Sequence, residues 1–266
     1  MKQRILTGLI LLPLLVLFIG FASPALFNLL VYAVVLLALV EFFTMGLPAE
    51  PVTERYLAIA AGTLLTPFLV VADEAVKMAA LTLLFIFLAI FFLLRFRDLQ
   101  TVVQRLGMIT LGIFYLPLLL SYLPLLRELP AGREWIFTVL LLVMAGDTAA
   151  YFIGVRFGRR KLYPAISPNK SVEGAMGGLL GSLGGAVLAK IAFFPALRLF
   201  DCLLLGLAAG VVAQLGDLFE SMLKRSFGVK DSGRLIPGHG GILDRLDSLL
   251  FAFPLVYFYA LWIFRF

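Results

Sequence analysis

Carboxylates inside long apolar runs are the residues of this chain that most need a chemical reason. Glu41, Asp147, Asp217 and Glu220 all lie in such runs. At the centre of a membrane helix each costs about 2.5–3.5 kcal/mol even on the lenient insertion scale. Asp147 and Asp217 each follow a glycine, in Gly146-Asp147 and Gly216-Asp217, which leaves room beside the carboxylate for a ligand or a neighbouring backbone. On a helix, Gln214, Asp217, Ser221 and Lys224 share one face, with Glu220 beside them, so a polar stripe must line a cavity or meet a partner. The stripe leads into a segment carrying Lys224, Arg225, Lys230 and Arg234, then Pro237-Gly238-His239-Gly240-Gly241. Four bases among glycines suit phosphate, because glycine lets backbone N–H groups approach an anion and a helix N-terminus adds partial positive charge. Asp244, Asp247 and Ser248 then share a helical face, and two carboxylates so placed are sensible oxygen ligands for Mg²⁺. Glu41 has no such polar company nearby in sequence. It reads as a carboxylate hydrogen-bonded within the bundle, whose change to Gln would spare most of the protein's function.

The elements that position these residues follow from composition. Of 266 residues, 62% are apolar and 14% charged, against roughly a quarter charged in a soluble domain. The 38 Lys, Arg, Asp and Glu side chains are too few to coat a soluble globule of this length, so the solvent for most of the surface is lipid. The single cysteine, Cys202, excludes an internal disulfide framework and a cysteine metal cluster. Apolar stretches near 5–22, 25–46, 56–72, 77–94, 106–126, 135–156, 174–194, 202–223 and 246–264 predict about nine transmembrane helices, since lipid offers no partner to bare peptide groups. The expected fold is therefore an all-α polytopic integral membrane protein.

Nine spans put the termini on opposite sides. Sixteen of the 22 Lys and Arg residues fall on the N-terminal side, which predicts a cytoplasmic N-terminus and an external C-terminus. The +6 net charge is thus first a topology signal, and no nucleic-acid partner is expected. Two cytoplasmic loops, 156–173 and 224–245, hold ten of those bases. The chain accordingly divides into scaffold helices over 1–130 and a catalytic membrane region over 131–266. Gly174, Gly177, Gly178, Gly181, Gly184 and Gly185 fall on one face of the seventh span, a small-residue pattern for close helix packing.

The run from Ser221-Met222-Leu223-Lys224-Arg225 through Lys230-Asp231 to Ile236-Pro237-Gly238-His239-Gly240-Gly241-Ile242-Leu243-Asp244-Arg245-Leu246-Asp247 resembles the signature of the phosphatidate cytidylyltransferases, or CDP-diacylglycerol synthases. Upstream, Asp147 to Gly154 and Ser167-Pro168-Asn169-Lys170-Ser171-Val172-Glu173-Gly174 also resemble the family, with Ser171 and Val172 where it more usually has Thr and Trp. The resemblance covers about residues 135–250. It implies transfer of a cytidylyl group from CTP to phosphatidic acid, giving CDP-diacylglycerol and pyrophosphate for phospholipid biosynthesis. The setting would be the cell membrane, the inner membrane where there are two, with the active site toward the cytoplasm among membrane lipids. Attack by an already ionised lipid phosphate needs no strong base; it needs two anions brought together and charge neutralised on the leaving pyrophosphate.

On that resemblance Asp217 and Asp244 are expected as the principal Mg²⁺ ligands, with Asp247 and Asp147 behind them or at a second cation. Lys224 and Arg225 join them as catalytic cations. Lys170, Ser221, Lys230, Arg234, His239, Gly240, Gly241 and Arg245 are expected to bind substrate, and a homodimer is implied. Two other classes are open to these residues. Asp147 and Asp217 allow an intramembrane aspartyl protease, which needs two carboxylates sharing a proton. The same polar set allows a transporter of a phosphorylated solute, although transporter sites favour the bilayer midplane and these residues drift toward one surface.

Overall fold

The structure, a computed structural model, describes residues 13–47, 52–95, 98–235 and 240–264. Residues 13–21 are helical, and residues 5–12 of the expected first span lie outside the described residues. Helices then follow in order: α1 Pro24–Gly46, α2 Val52–Val71, α3 Glu74–Arg95, α4 Leu99–Tyr115, α5 Pro117–Glu128, α6 Gly132–Phe157, α7 Val172–Ala192, α8 Leu199–Ser226 and α9 Leu243–Phe258, which ends in a π-helical turn, Tyr259–Ile263. Among the described residues eight helical stretches are long and apolar enough to cross a membrane, with α4 and α5 forming one of them. Each coincides with one of the expected spans from the second to the ninth, and the protein is an all-α, multi-pass membrane protein.

Local sequence explains where the helices begin. Ser23 precedes Pro24 and its hydroxyl accepts from the Leu26 N–H at 3.3 Å, satisfying a free donor while proline occupies the first turn. Asp98 caps α4 through the Gln100 N–H at 3.0 Å, and Ser171 caps α7 through the Gly174 N–H at 3.1 Å. Pro117, which has no N–H to give, marks the break between α4 and α5. The expected loop 156–173 is more ordered than a loop. Strands β1 (Lys161–Tyr163) and β2 (Ser167–Ser171) pair antiparallel, and the Val172 N–H closes the hairpin on the Arg160 carbonyl at 2.9 Å.

The chain forms two compact units. The first comprises residues 1–124 together with 232–243. Its core gathers Leu39, Phe42 and Phe43 of α1 against Tyr115 of α4, with the Phe42 and Tyr115 rings 6.2 Å apart. Glu54 of α2 is buried there and takes Arg105 of α4 at 3.1 Å. By contrast α3 buries only Leu88 and Phe92 and leaves Leu83, Leu93 and Leu94 bare. A helix so apolar and so exposed is at rest only in lipid.

The second unit comprises residues 125–231 and 244–266. Here α7 lies between α6 and α8 and turns its glycines toward them. A methyl group built on Gly181 would meet the Ala145 carbonyl oxygen of α6 at 2.5 Å, and one on Gly185 would meet the Leu142 Cα at 2.8 Å. From α8, Gly206 and Gly210 receive Leu183 and Ser182 in the same manner. Backbones approach this closely only where Cβ atoms are absent, and the contact is dispersion and packing rather than hydrophobic transfer. Gly184 departs from the expected stripe, for nothing lies within 4 Å of its missing Cβ. At the other end of this unit Trp135 packs edge-on against Phe194 and Phe264, at 4.8 and 5.0 Å.

Gly181→Ala is therefore expected to lower the thermal unfolding midpoint in detergent, reflecting about 1–3 kcal/mol of overpacking. Gly184→Ala is expected to leave the midpoint unchanged. Equal midpoints for the two variants would show that α6 and α7 do not meet at Gly181.

Candidate active site

Four helices and the hairpin of the second unit border a cavity of about 610 Å³, α7 contributing Gly174 and Ala175. Asp147 reaches it from α6, Asn169 and Lys170 from β2, Gln214 and Asp217 from α8, and Asp244, Arg245, Asp247 and Ser248 from the first turns of α9. The small faces of α7 make this convergence possible. Gly178 leaves space for the Gln214 side chain, whose amide donates to the Ala175 carbonyl at 3.1 Å, and Gly146 abuts Ser182. Tyr151, Val155, Leu162 and Leu218 supply an apolar wall.

Two cations at this site, Lys170 and Lys224, are held by carboxylates. Lys170 lies 2.6 Å from an oxygen of Asp217, and the Ser221 hydroxyl donates to the other Asp217 oxygen at 3.4 Å. Lys224 stands between Glu220, one turn earlier on α8, and Asp244 of α9, at 2.7 Å from each. All three side chains of that triad are buried, at 12%, 3% and 9% exposure, so the pairings are strong only because every charge has a partner. Asp247 accepts from the Ser248 N–H at 2.7 Å and stands within electrostatic reach of Asp147, Asp217 and Glu220. Five carboxylates thus share this region with three cations, Lys170, Lys224 and Arg245.

That surplus of hard oxygen donors suits a divalent cation such as Mg²⁺. Among the described residues no three His, Cys, Asp or Glu side chains are grouped so as to hold a metal by themselves. Mg²⁺ is commonly bound through one or two carboxylates completed by substrate phosphates, so the donor set fits an ion of that kind.

Of the residues singled out in the sequence, Asp147, Lys170, Asp217, Asp244, Arg245 and Asp247 line the cavity, and Lys224 and Ser221 bond directly to its carboxylates. Arg225 is instead an exposed brace, donating to the carbonyls of Ile166 and Val229 at 3.3 Å each. It joins the hairpin turn to the end of α8. Lys230 is exposed in the same unit. Arg234, Gly240 and Gly241 belong to the first unit, where Arg234 is exposed and Gly241 is buried against Ser232 and Glu41. His239 lies outside the described residues. Glu220, Gln214, Asn169 and Ser248 were not assigned roles from sequence. For Glu220 the signal was present, since a carboxylate four residues before a lysine on one helix face forms an ion pair.

Asp147 and Asp217 do not make the dyad of an aspartyl protease. Such a dyad shares one proton between two carboxylates, whereas Asp217 is engaged by Lys170 and Ser221.

Comparison with known proteins accords with this arrangement. The sequence model of the cytidylyltransferase family matches residues 2–263. A phosphatidate cytidylyltransferase of Bacillus subtilis (strain 168) is 36% identical over 262 residues, covering 97% of both chains. Two staphylococcal proteins of the same name match over shorter stretches. That of Staphylococcus saprophyticus is 48% identical over 125 residues, and that of Staphylococcus aureus (strain COL) 49% over 127, each covering 47% of this chain and 48% of the relative. The match over nearly the whole length, together with a charge-lined cavity among membrane helices, shows that the chain belongs to the cytidylyltransferase family.

Proposed function

We propose that the protein transfers the cytidylyl group of CTP to phosphatidic acid, forming CDP-diacylglycerol and pyrophosphate. The observation that carries this reading is the cavity itself, in which lysines and carboxylates face an apolar wall inside a set of membrane helices. One substrate is a lipid and the other a soluble triphosphate, and such a cavity offers each a suitable surface. An oxygen of the lipid phosphate attacks the α-phosphorus of CTP, and the bond from that phosphorus to the β-phosphate bridging oxygen breaks. No proton need be removed from the nucleophile, so the chain contributes position and charge.

Lys170 and Lys224 are the cations placed to take phosphate oxygens, exchanging their hold on Asp217 and Asp244 for the substrates. Mg²⁺, bound by Asp217 and Asp244 and completed by phosphate oxygens, would neutralise the charge that gathers on the departing pyrophosphate. Asp247 and Asp147 support those ligands or hold a second cation. Glu220 keeps Lys224 directed at Asp244. Tyr151, Val155 and Leu218 provide the surface for the start of the acyl chains. The bias of bases toward the N-terminal side supports a site at the cytoplasmic face of the cell membrane, the inner membrane where there are two. The homodimer implied by resemblance belongs to the same proposal.

Purified protein in detergent micelles, given CTP, phosphatidic acid and Mg²⁺, is expected to release CDP-diacylglycerol and pyrophosphate in equal amounts. Binding of CTP without product under varied lipid and salt would favour a binding or transport protein instead. Asp244→Asn is expected to lower turnover by at least about 10²-fold, the scale of losing one preorganised electrostatic contact. Wild-type turnover in that variant would show that the metal and Lys224 are positioned by other residues.

A further inference from the structure

Glu41 is a buried carboxylate of α1, 8% exposed, for which the proposed reaction has no use. Its partners come from one segment. Oε2 accepts from the Ser232 hydroxyl at 2.9 Å and from the Leu243 N–H at 3.1 Å, while Oε1 accepts from the Ile242 N–H at 3.0 Å. Both ends of the glycine-rich segment that opens after α8 and closes at α9 therefore meet on a single side chain. The glycines at those ends are required by it. A Cβ on Gly233 would lie 2.5 Å from Oε1, and one on Gly241 would collide with Ser232 Oγ and Glu41 Oε2.

Leu243 is the first residue of α9, and the opening N–H groups of a helix have no partner within it. Glu41 thus serves as the N-cap of α9 from a different helix, with its negative charge set at the positive end of the helix dipole. The residue after Leu243 is Asp244, so whatever fixes this first turn also fixes the backbone that carries Asp244.

We propose that Glu41 is a positioning residue for the proposed cytidylyltransfer, clamping residues 232–233 to 241–243 and holding the first turn of α9. The inference rests on the functional reading above for its effect on turnover, but not for the clamp itself. It reverses the expectation that Glu41→Gln would spare activity. Each Glu41 oxygen faces a backbone N–H. Whichever way a glutamine amide is turned, its NH₂ group confronts one of those donors and leaves it unsatisfied.

The test compares full-length wild type, Glu41→Gln and Ser232→Ala in micelles. Tryptic cleavage after Arg234, followed by mass spectrometry, reports opening of the clamped segment, and turnover is expressed per CTP-binding site so that unfolded protein does not count. Glu41→Gln is expected to speed cleavage after Arg234 about tenfold and to lower turnover per site about tenfold, the scale of one unsatisfied buried donor. Cleavage at other sites should change little. Ser232→Ala, which removes one of the three bonds, should move both quantities the same way by less, and it decides the matter if Glu41→Gln does not fold. Cleavage after Arg234 at the wild-type rate overturns the clamp. Faster cleavage with unchanged turnover per site overturns the positioning role. If the wild type forms no CDP-diacylglycerol, the functional reading fails while the cleavage comparison still decides the clamp.

Discussion

Lys224 sits between Glu220 and Asp244 with all three side chains withdrawn from solvent, and much of the second unit can be understood as the means of making that tolerable. A lone ammonium or carboxylate in a bundle of membrane helices is held at several kcal/mol of desolvation. Removing one partner of such a pair costs about 3–5 kcal/mol because the other charge is left exposed to a low dielectric. The triad avoids that by joining two helices, since Glu220 and Lys224 are one turn apart on α8 while Asp244 lies in the first turn of α9. The same logic pairs Lys170 of the hairpin with Asp217 of α8. Charge pairing therefore fixes which parts of the second unit must be near one another.

Packing then determines whether they can be. With bulky residues along α7, α6 and α8 would stand too far apart for Asp147 and Asp217 to border one cavity. Gly178 admits Gln214 from α8, Gly181 and Gly185 admit the backbone of α6, and Gly146 returns the favour to Ser182. Gly146 beside Asp147 and the glycines of α7 thus solve one problem from two sides, while Gly216 beside Asp217 lets α9 approach through the Asp247 carbonyl and Phe251. In the first unit, Gly233 and Gly241 do the same for the carboxylate of Glu41.

The carboxylates were legible from sequence because polarity inside an apolar run is a strong local signal. The helices were legible for the same reason, although their ends were not. The fifth expected span began near 106, whereas α4 starts at Leu99, because Gln100, Thr101, Gln104 and Arg105 remain helical after hydropathy has fallen. The hairpin at 161–171 is not legible in the sequence, since strands of three and five residues carry too little period to be seen. The helix bearing Asp147 ends at Phe157 before Gly158, and the one bearing Asp217 ends at Ser226 before Phe227-Gly228. Yet Gly158 has φ −63 and Gly228 φ +72, so the likeness stops at the backbone turn. The partners of Glu41 were invisible for a plainer reason. They lie 191, 201 and 202 residues away in the chain, and only the fold brings them together.

The abundance of carboxylates at a site meant for phosphates has a physical rationale. A cavity lined by free lysines alone would hold its phosphates in the ground state as firmly as in the transition state, which lowers KM without speeding the chemical step. Lysines already engaged by Asp217, Asp244 and Glu220 release only part of their attraction when a phosphate displaces a carboxylate. Under the proposed function the displaced carboxylates would serve as oxygen donors for a divalent cation, and phosphate and metal would then favour each other's binding. The full electrostatic gain is then reserved for the moment when charge moves onto the leaving pyrophosphate. On this view the alternation of acid and base around the cavity is the feature that makes a charged site both stable in a membrane protein and selective for the transition state.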